Sequence, residues 1–335
     1  MASSVRAKLL LAAAVLPLAL LLTPEAWARN GGFAPVTPQS PNAQDIRTSY
    51  LFISIFTLGV FILVESLIVL FIFRFRRRRR PRFEEGPAIH GATRLELLWT
   101  AFPVAILFLV AVFIFIELPG ISDIPSAGAR GKALQIKVTG RQFYWQFTYP
   151  NGVVTIDTMR APANVPVQLT VVAPVNDVIH SWWIPALGGK IDAIPGRVNG
   201  TWFEAKKPGR YTGQCAELCG LQHAHMLAAV EVMPKAQFAA WLAQRRRQQT
   251  AGTSDLGAET WSGVCAKCHG MAGEGGIAVA IAGSQILSDP QAVKQIVHNG
   301  TTTPRGTMPA VGSGWTDEQV SALTSYLKEH PPSGG

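Results

Sequence analysis

Two apolar stretches separated by a dense run of arginines constrain this 335-residue chain more than any other feature. Residues from about Thr48 to Phe73 and from about Leu95 to Leu118 are almost continuously apolar. Each can cross a bilayer, whose hydrocarbon core takes roughly 20 helical residues. Between them, Arg74, Arg76 to Arg80 and Arg82 lie within nine residues. Arginines beside an apolar span resist translocation and mark the cytoplasmic side. The pattern therefore predicts a transmembrane hairpin over 48–120, closed by Pro119-Gly120, with its loop inside and everything after it outside. Those seven arginines carry most of the net charge of +9, so no nucleic-acid partner is expected from the charge.

The N-terminus fits that topology. Arg6 and Lys8 precede an apolar run from Leu9 to Leu22, and Ala26-Trp27-Ala28 is a small-x-small cleavage pattern, so residues 1–28 read as a secretory signal peptide. Residues 29–47 then form an exported N-terminal segment.

After Pro119 the texture changes to short β-branched and aromatic runs between Pro, Gly and Asn. Gln135–Thr139, Tyr144–Thr148 and Val167–Val172 read as strands of a sandwich or barrel spanning about 130–234. Lys235 to Arg247 reads as a short amphipathic helix, with a polar linker through about residue 253. A last domain over 254–332 has two helix starts, Asp289-Pro290 and Thr316-Asp317-Glu318. At about 80 residues it would bury little surface alone, which favours a large cofactor at its centre.

The four cysteines fall in two chemically distinct motifs. Cys215-x-x-x-Cys219 lies in a twelve-residue segment that also holds His223, His225 and Met226. Two thiolates, an imidazole and a thioether suit copper. Zinc also takes Cys and His, and a disulfide is the plainest alternative. A second histidine, His180, stands upstream in Asp177-Val178-Ile179-His180-Ser181-Trp182-Trp183. The second motif, Cys265-Ala266-Lys267-Cys268-His269, is the attachment signature for c-type haem, in which the thiols form thioethers and His269 ligates the iron.

With these residues in view, the sequence resembles cytochrome c oxidase subunit II, whose periplasmic cupredoxin-type sandwich holds the binuclear copper A centre. The resemblance extends over both apolar stretches and the segment Lys190–Arg197. It implies a multidomain membrane protein: a two-helix transmembrane hairpin, an all-β cupredoxin-like sandwich and an all-α class I cytochrome c domain. It also implies a site. Cys215 and Cys219 bridge two coppers, His180 and His223 are terminal ligands, and Met226 and the Glu217 carbonyl complete the set. The Glu217 side chain then faces the catalytic subunit, where it helps to hold an interfacial magnesium. His225 falls at no ligand position.

The Gly306-Thr307-Met308-Pro309-Ala310 segment resembles the distal loop of small cytochromes c, which makes Met308 the second axial ligand of the haem iron. His/Met ligation leaves no open coordination position, a pattern that suits electron carriage. Met271 lies too near the attachment helix to serve, and His298 is expected on a helix surface. Phe143, Tyr144 and Trp145 resemble the family's aromatic electron-entry patch, although many members have Trp where this chain has Phe143. Glu96 matches the position of a carboxylate at the mouth of a proton-uptake path. Glu65, within the first apolar stretch, has no assigned role.

The resemblance thus implies the electron-entry subunit of a haem-copper terminal oxidase in a bacterial inner membrane. Its partners are the catalytic subunit I, subunit III, and an external donor such as a cytochrome c or a cytochrome bc complex. The chain itself carries electrons and contributes no catalytic residue. Two other readings share these motifs: the electron-input subunit of a copper-containing nitric oxide reductase, and a membrane-anchored redox carrier without a catalytic partner. A quinol oxidase subunit is disfavoured because such relatives lack the copper ligands.

Overall fold

The structure is a computed structural model that describes residues 35–75, 88, 90–123, 133–304 and 306–333. The expected signal peptide and the arginines at 76–80 and 82 lie outside the described residues. The described chain divides into two units, residues 44–121 and a second comprising 37–43 with 122 onward.

The first unit is helical. Helix α1 runs over Pro41–Phe75 and α2 over Thr93–Ser122. Both are long and apolar enough to cross a membrane. They pack on each other through Phe52 and Phe113, whose rings stack at 3.9 Å. Most of their large apolar side chains, such as Ile55, Phe61, Leu107 and Phe115, remain exposed. Exposure of a large apolar side chain to water costs about 1.5–3 kcal/mol, so these faces require lipid or partner helices.

Both helices are longer than the apolar runs alone predict. Helix α1 starts at Pro41, a favourable first helical position because proline's missing N–H has no intrahelical partner there. Helix α2 does not stop at Pro119-Gly120 but continues to Ser122, with Pro103 and Pro119 inside it. In an apolar medium a helix break exposes several backbone groups, which outweighs the bond lost to one proline.

The second unit begins with a sandwich. Its larger sheet joins β1 (Leu134–Arg141), β2 (Tyr144–Thr148), β3 (Val154–Ile156), β5 (Val167–Val172) and β8 (Asn199–Phe203), in the order β3-β2-β1-β5-β8. The smaller sheet orders β4 (Thr158–Pro162), β10 (Leu227–Met233) and β9 (Gly209–Gln214) as β4-β10-β9. A separate ribbon pairs β6 (His180–Trp182) with β7 (Ile191–Ala193). Alternating burial along β5 shows the period-2 pattern of a half-buried strand. Val138, Trp145, Phe147, Met159, Leu169 and Val230 fill the core.

Helix α3 (Lys235–Thr250) follows β10 and is packed on the sandwich. Phe238 and Trp241 lie against Tyr149, and buried Gln249 exchanges hydrogen bonds of 3.1 and 2.6 Å with the Val154 backbone. The stretch expected to be a short helix and loose linker is therefore a fixed strut, with turns only from about residue 251.

The C-terminal part is helical around a small ribbon. Leu256 to His269 forms one helical run, with α4 (Leu256–Thr260) and α5 (Ala266–His269) flanking a π-type segment at Trp261–Cys265. Helix α6 (Pro290–Asn299) is capped by the Asp289 carboxylate, and α7 (Asp317–Glu329) by a capping box of Thr316 and Gln319. Between them β11 (Thr301–Thr303) pairs with β12 (Gly306–Met308). The apolar centre of Leu256, Val264, Val293, Val297, Trp315 and Leu323 also takes in Tyr144, Val154 and Ile156 of the sandwich.

Candidate metal centres

Strand β6 and the loop between β9 and β10 bring the first group together. The loop is closed at its base by a hydrogen bond from the Cys215 N–H to the Met226 carbonyl at 2.9 Å, and the Ala216 N–H bonds the Ser181 carbonyl of β6 at 2.9 Å. Gly213, just before the loop, lies so close to the Trp183 carbonyl and Ile184 that any Cβ would overlap them. Gly220 turns the loop at φ +124°, where only glycine is comfortable.

The four sulfur and imidazole donors converge. The Cys215 and Cys219 sulfurs are 3.9 Å apart, far beyond a disulfide bond of about 2.05 Å, and all four cysteines are free. His180 Nδ1 stands 4.0 Å from Cys215 Sγ, and His223 Nδ1 stands 3.6 Å from Cys219 Sγ. The sulfurs thus lie side by side with one imidazole at each. Met226 Sδ is 3.9 Å from Cys219 Sγ, and the Glu217 carbonyl is 3.2 Å from Cys215 Sγ. His180, Cys215, Cys219 and Met226 are buried.

His180 is oriented by Asp177, which sequence reading missed. Its Nε2 is 3.1 Å from the Asp177 carboxylate. A carboxylate accepts from Nε2–H, which leaves the Nδ1 lone pair facing the sulfurs, as a metal ligand requires. Burial disfavours the charged imidazolium, but the Asp177 and Cys215 contacts outweigh it and hold the pKa above the ordinary value. Cys215 is held well below the usual thiol range, first by its hydrogen bond with the Cys219 thiol. The same bond, with burial, pushes Cys219 up. Metal binding takes both cysteines as thiolates, so it competes with protons at this pair.

The donor set fits copper better than zinc. A buried thioether beside two thiolates and two imidazoles is soft ligation, and a tetrahedral zinc site has no use for the fifth donor. His225 stands apart, with its Nδ1 2.6 Å from the Gln222 side-chain oxygen. The Glu217 carboxylate lies 3.5 Å from Lys190 Nζ.

The second group sits in the C-terminal domain. His269 is buried, and its Nδ1 lies 2.8 Å from the Val279 carbonyl, so Nδ1–H is committed and Nε2 is free to ligate. Cys265, at the end of the π-type segment, and Cys268, in α5, are free, and burial pushes the Cys265 thiol up to about 12. Met308 is on β12, half-buried against the same apolar cluster. Free thiols, a tautomer-fixed imidazole, a thioether and an apolar lining fit a c-type haem. Met271 is exposed. His298 lies on α6 as expected, but half-buried, with a buried Nε2 that has no hydrogen-bond partner.

The aromatic trio is not an open patch. Tyr144 and Trp145 are fully buried and Phe143 is half-buried. Trp145 packs edge-on against His180 and Trp182. Tyr144 faces the C-terminal domain, donating to the Val311 carbonyl at 2.6 Å and accepting from the Trp315 indole at 2.9 Å. Glu96 lies in the first turn of α2, where its carboxylate accepts from the Ala92 N–H at 2.9 Å. Glu65 is exposed on α1.

Three family models match the chain. They are the transmembrane domain of cytochrome c oxidase subunit II over 30–116, its periplasmic domain over 153–233, and cytochrome c oxidase, cbb3-type, subunit III over 252–327. Cytochrome c oxidase subunit 2 of Alkalihalophilus pseudofirmus is 32% identical, over 87% of this chain and 89% of its own. That of Cereibacter sphaeroides is 34% identical over 67% of this chain and 82% of its own. A crystal structure of the periplasmic domain of subunit II from Bradyrhizobium japonicum is 39% identical, over 36% of this chain and 98% of that one, at TM-score 0.33.

Proposed function

Because this chain belongs to the cytochrome c oxidase subunit II family, with a cytochrome c domain fused at its C-terminus, we propose that the two donor clusters are the stations through which electrons enter the complex. The chain is the electron-input subunit of a haem-copper oxidase, membrane-anchored, and its partner is the catalytic subunit I. The observation that carries the site assignment is the pair of free sulfurs 3.9 Å apart with one imidazole at each.

Cys215, Cys219, His180, His223, Met226 and the Glu217 carbonyl would together hold a binuclear copper centre, with the two sulfurs shared between the metals. Cys265 and Cys268 would attach one haem covalently, and His269 and Met308 would ligate its iron. The bound groups supply one-electron chemistry; the protein holds their ligands so that neither oxidation state relaxes far. Asp177 fixes the His180 tautomer, Val279 fixes that of His269, and the β9–β10 loop is clamped at both ends.

Electrons from an external donor, a cytochrome c or a cytochrome bc complex, enter at the haem domain and pass over the ground occupied by Phe143, Tyr144 and Trp145. The exposed Glu217 carboxylate faces subunit I and shares a magnesium ion there. Glu96, in the first turn of α2, marks the proton-uptake side. The complex lies in a bacterial inner membrane, with subunit III as a further component.

The test is purification of the complex through a tag on this chain. Oxygen consumption with a reduced donor is expected, and Cys219→Ser should abolish it while the complex stays assembled. Retained oxygen consumption in that variant overturns the copper assignment.

A further inference from the structure

Lys267, between the two haem cysteines, makes an ion pair across the seam of the second unit. Lys267 Nζ lies 2.5 Å from the Asp157 carboxylate and donates to the Phe143 carbonyl at 3.0 Å. Asp157 is itself fixed, since its other oxygen accepts from the Trp145 N–H at 2.9 Å. It occupies a positive φ of 54° between β3 and β4, a conformation that Asp and Asn tolerate best among non-glycine residues. The lysine is only 16% exposed and the aspartate 24%, so solvent screens this pair less than an open surface pair.

The backbone of the same lysine is engaged from the copper side. Gln222, directly before His223 and buried, donates from Nε2 to the Lys267 carbonyl at 2.8 Å. Gln142 holds the copper loop from the other flank by donating to the Cys219 carbonyl at 2.9 Å. Further bonds extend the seam from Arg141 to Ser313 at 2.9 Å and from Gln319 to Gln146 at 3.3 Å.

We propose that Lys267 latches the haem domain onto the copper domain, and that the Gln222–Lys267 hydrogen bond is the bridge by which an electron passes between the two ligand loops. This rests on the ligand assignment above. From Cys268 the route runs through its amide bond to Lys267, across one hydrogen bond to the Gln222 side chain, and along one peptide link to His223. Only a single step in it is non-covalent. Each transfer moves one electron, oxidising the iron held by His269 and reducing the copper pair by one; no bond forms or breaks and no proton moves.

The experiment is flash photoreduction of the haem in the intact, fully loaded oxidase, followed optically at the haem and at the copper centre. In the unaltered protein, copper reduction should track haem oxidation. Gln222→Ala and Lys267→Met should each slow that step roughly tenfold or more with both absorption spectra unchanged, and Lys267→Arg should restore part of the rate.

Unchanged rates in both variants overturn the latch and the bridge. If Gln222→Ala alters the copper spectrum, Lys267→Met decides, because its side chain lies outside the copper loop. Faster hydrogen exchange at Val311 to Trp315 in that variant is the independent sign of a released domain. Failure of copper to follow haem in the unaltered protein overturns the electron-entry reading itself, whereas transfer that is equally fast in all forms overturns the latch and the bridge and leaves that reading standing.

Discussion

The Trp315 indole N–H donates to the Tyr144 hydroxyl at 2.9 Å, and that hydroxyl donates to the Val311 carbonyl at 2.6 Å. One phenol from the sandwich thus satisfies two groups of the haem domain inside a shared apolar cluster. Burial pushes the phenol far above its ordinary pKa, so it stays neutral and keeps its proton for Val311.

Tyr144→Phe removes both bonds and leaves a buried indole N–H and a carbonyl without that partner. Each orphaned group costs about 1–3 kcal/mol, and the rings still pack. Denaturant unfolding of the haem domain is expected at a lower midpoint, with the copper spectrum unchanged. An unchanged midpoint contradicts a load-sharing seam.

Asp177→Asn tests the orientation of His180. An amide can still bond Nε2, but without the charge, and it can present its N–H to the ring and select the wrong tautomer. Loss of such a partner commonly costs 10–100-fold in metal affinity. Copper retention under chelator challenge should fall by that order, and equal retention contradicts the role given to Asp177.

Met226→Leu preserves volume and apolarity but removes the thioether. Copper should stay bound through the two cysteines and two histidines. The midpoint potential should move upward, because the oxidised form loses a donor. Spectroelectrochemical titration checks this; an unchanged potential means that Met226 is only packing.

Gly213→Ala tests the clamp at the base of the copper loop. The added methyl would overlap the Trp183 carbonyl, next to the 3.2 Å bond that the same carbonyl accepts from Gln214. Overpacking of this kind costs about 1–3 kcal/mol. Lower thermal stability with weakened copper binding is expected, and wild-type behaviour in both contradicts the described approach of β9 to Trp183.

Much of this organisation was legible because its signals are local. Apolar length gave α1 and α2, β-branched runs between turn residues gave β5, and the cap residues Asp289 and Thr316 gave the starts of α6 and α7. The spacing of Cys215, Cys219, His223 and Met226 was enough to suggest one cluster, since a short loop cannot separate them far. The seam was not legible. Lys267 reads as an ordinary surface lysine inside a haem motif, and Asp157 lies 110 residues away. Nothing in a linear pattern pairs them. The burial of the aromatic segment was not legible for the same reason: nothing local to Tyr144 shows that the docked domain buries its outward face. Helix α3 was legible as a short helix, but its attachment was not: Phe238, Trp241 and Gln249 fix it to the sandwich.

The most direct test of the central claim is the metal content of the full-length chain, matured with haem and extracted from membranes, together with its optical and paramagnetic spectra. Two coppers and one iron per chain, with a mixed-valence copper signal beside a six-coordinate haem c spectrum, are predicted from the paired sulfurs and the His269 and Met308 donors. Iron without copper, or zinc in its place, would contradict the account and leave the sandwich as a structural support for a membrane-bound cytochrome.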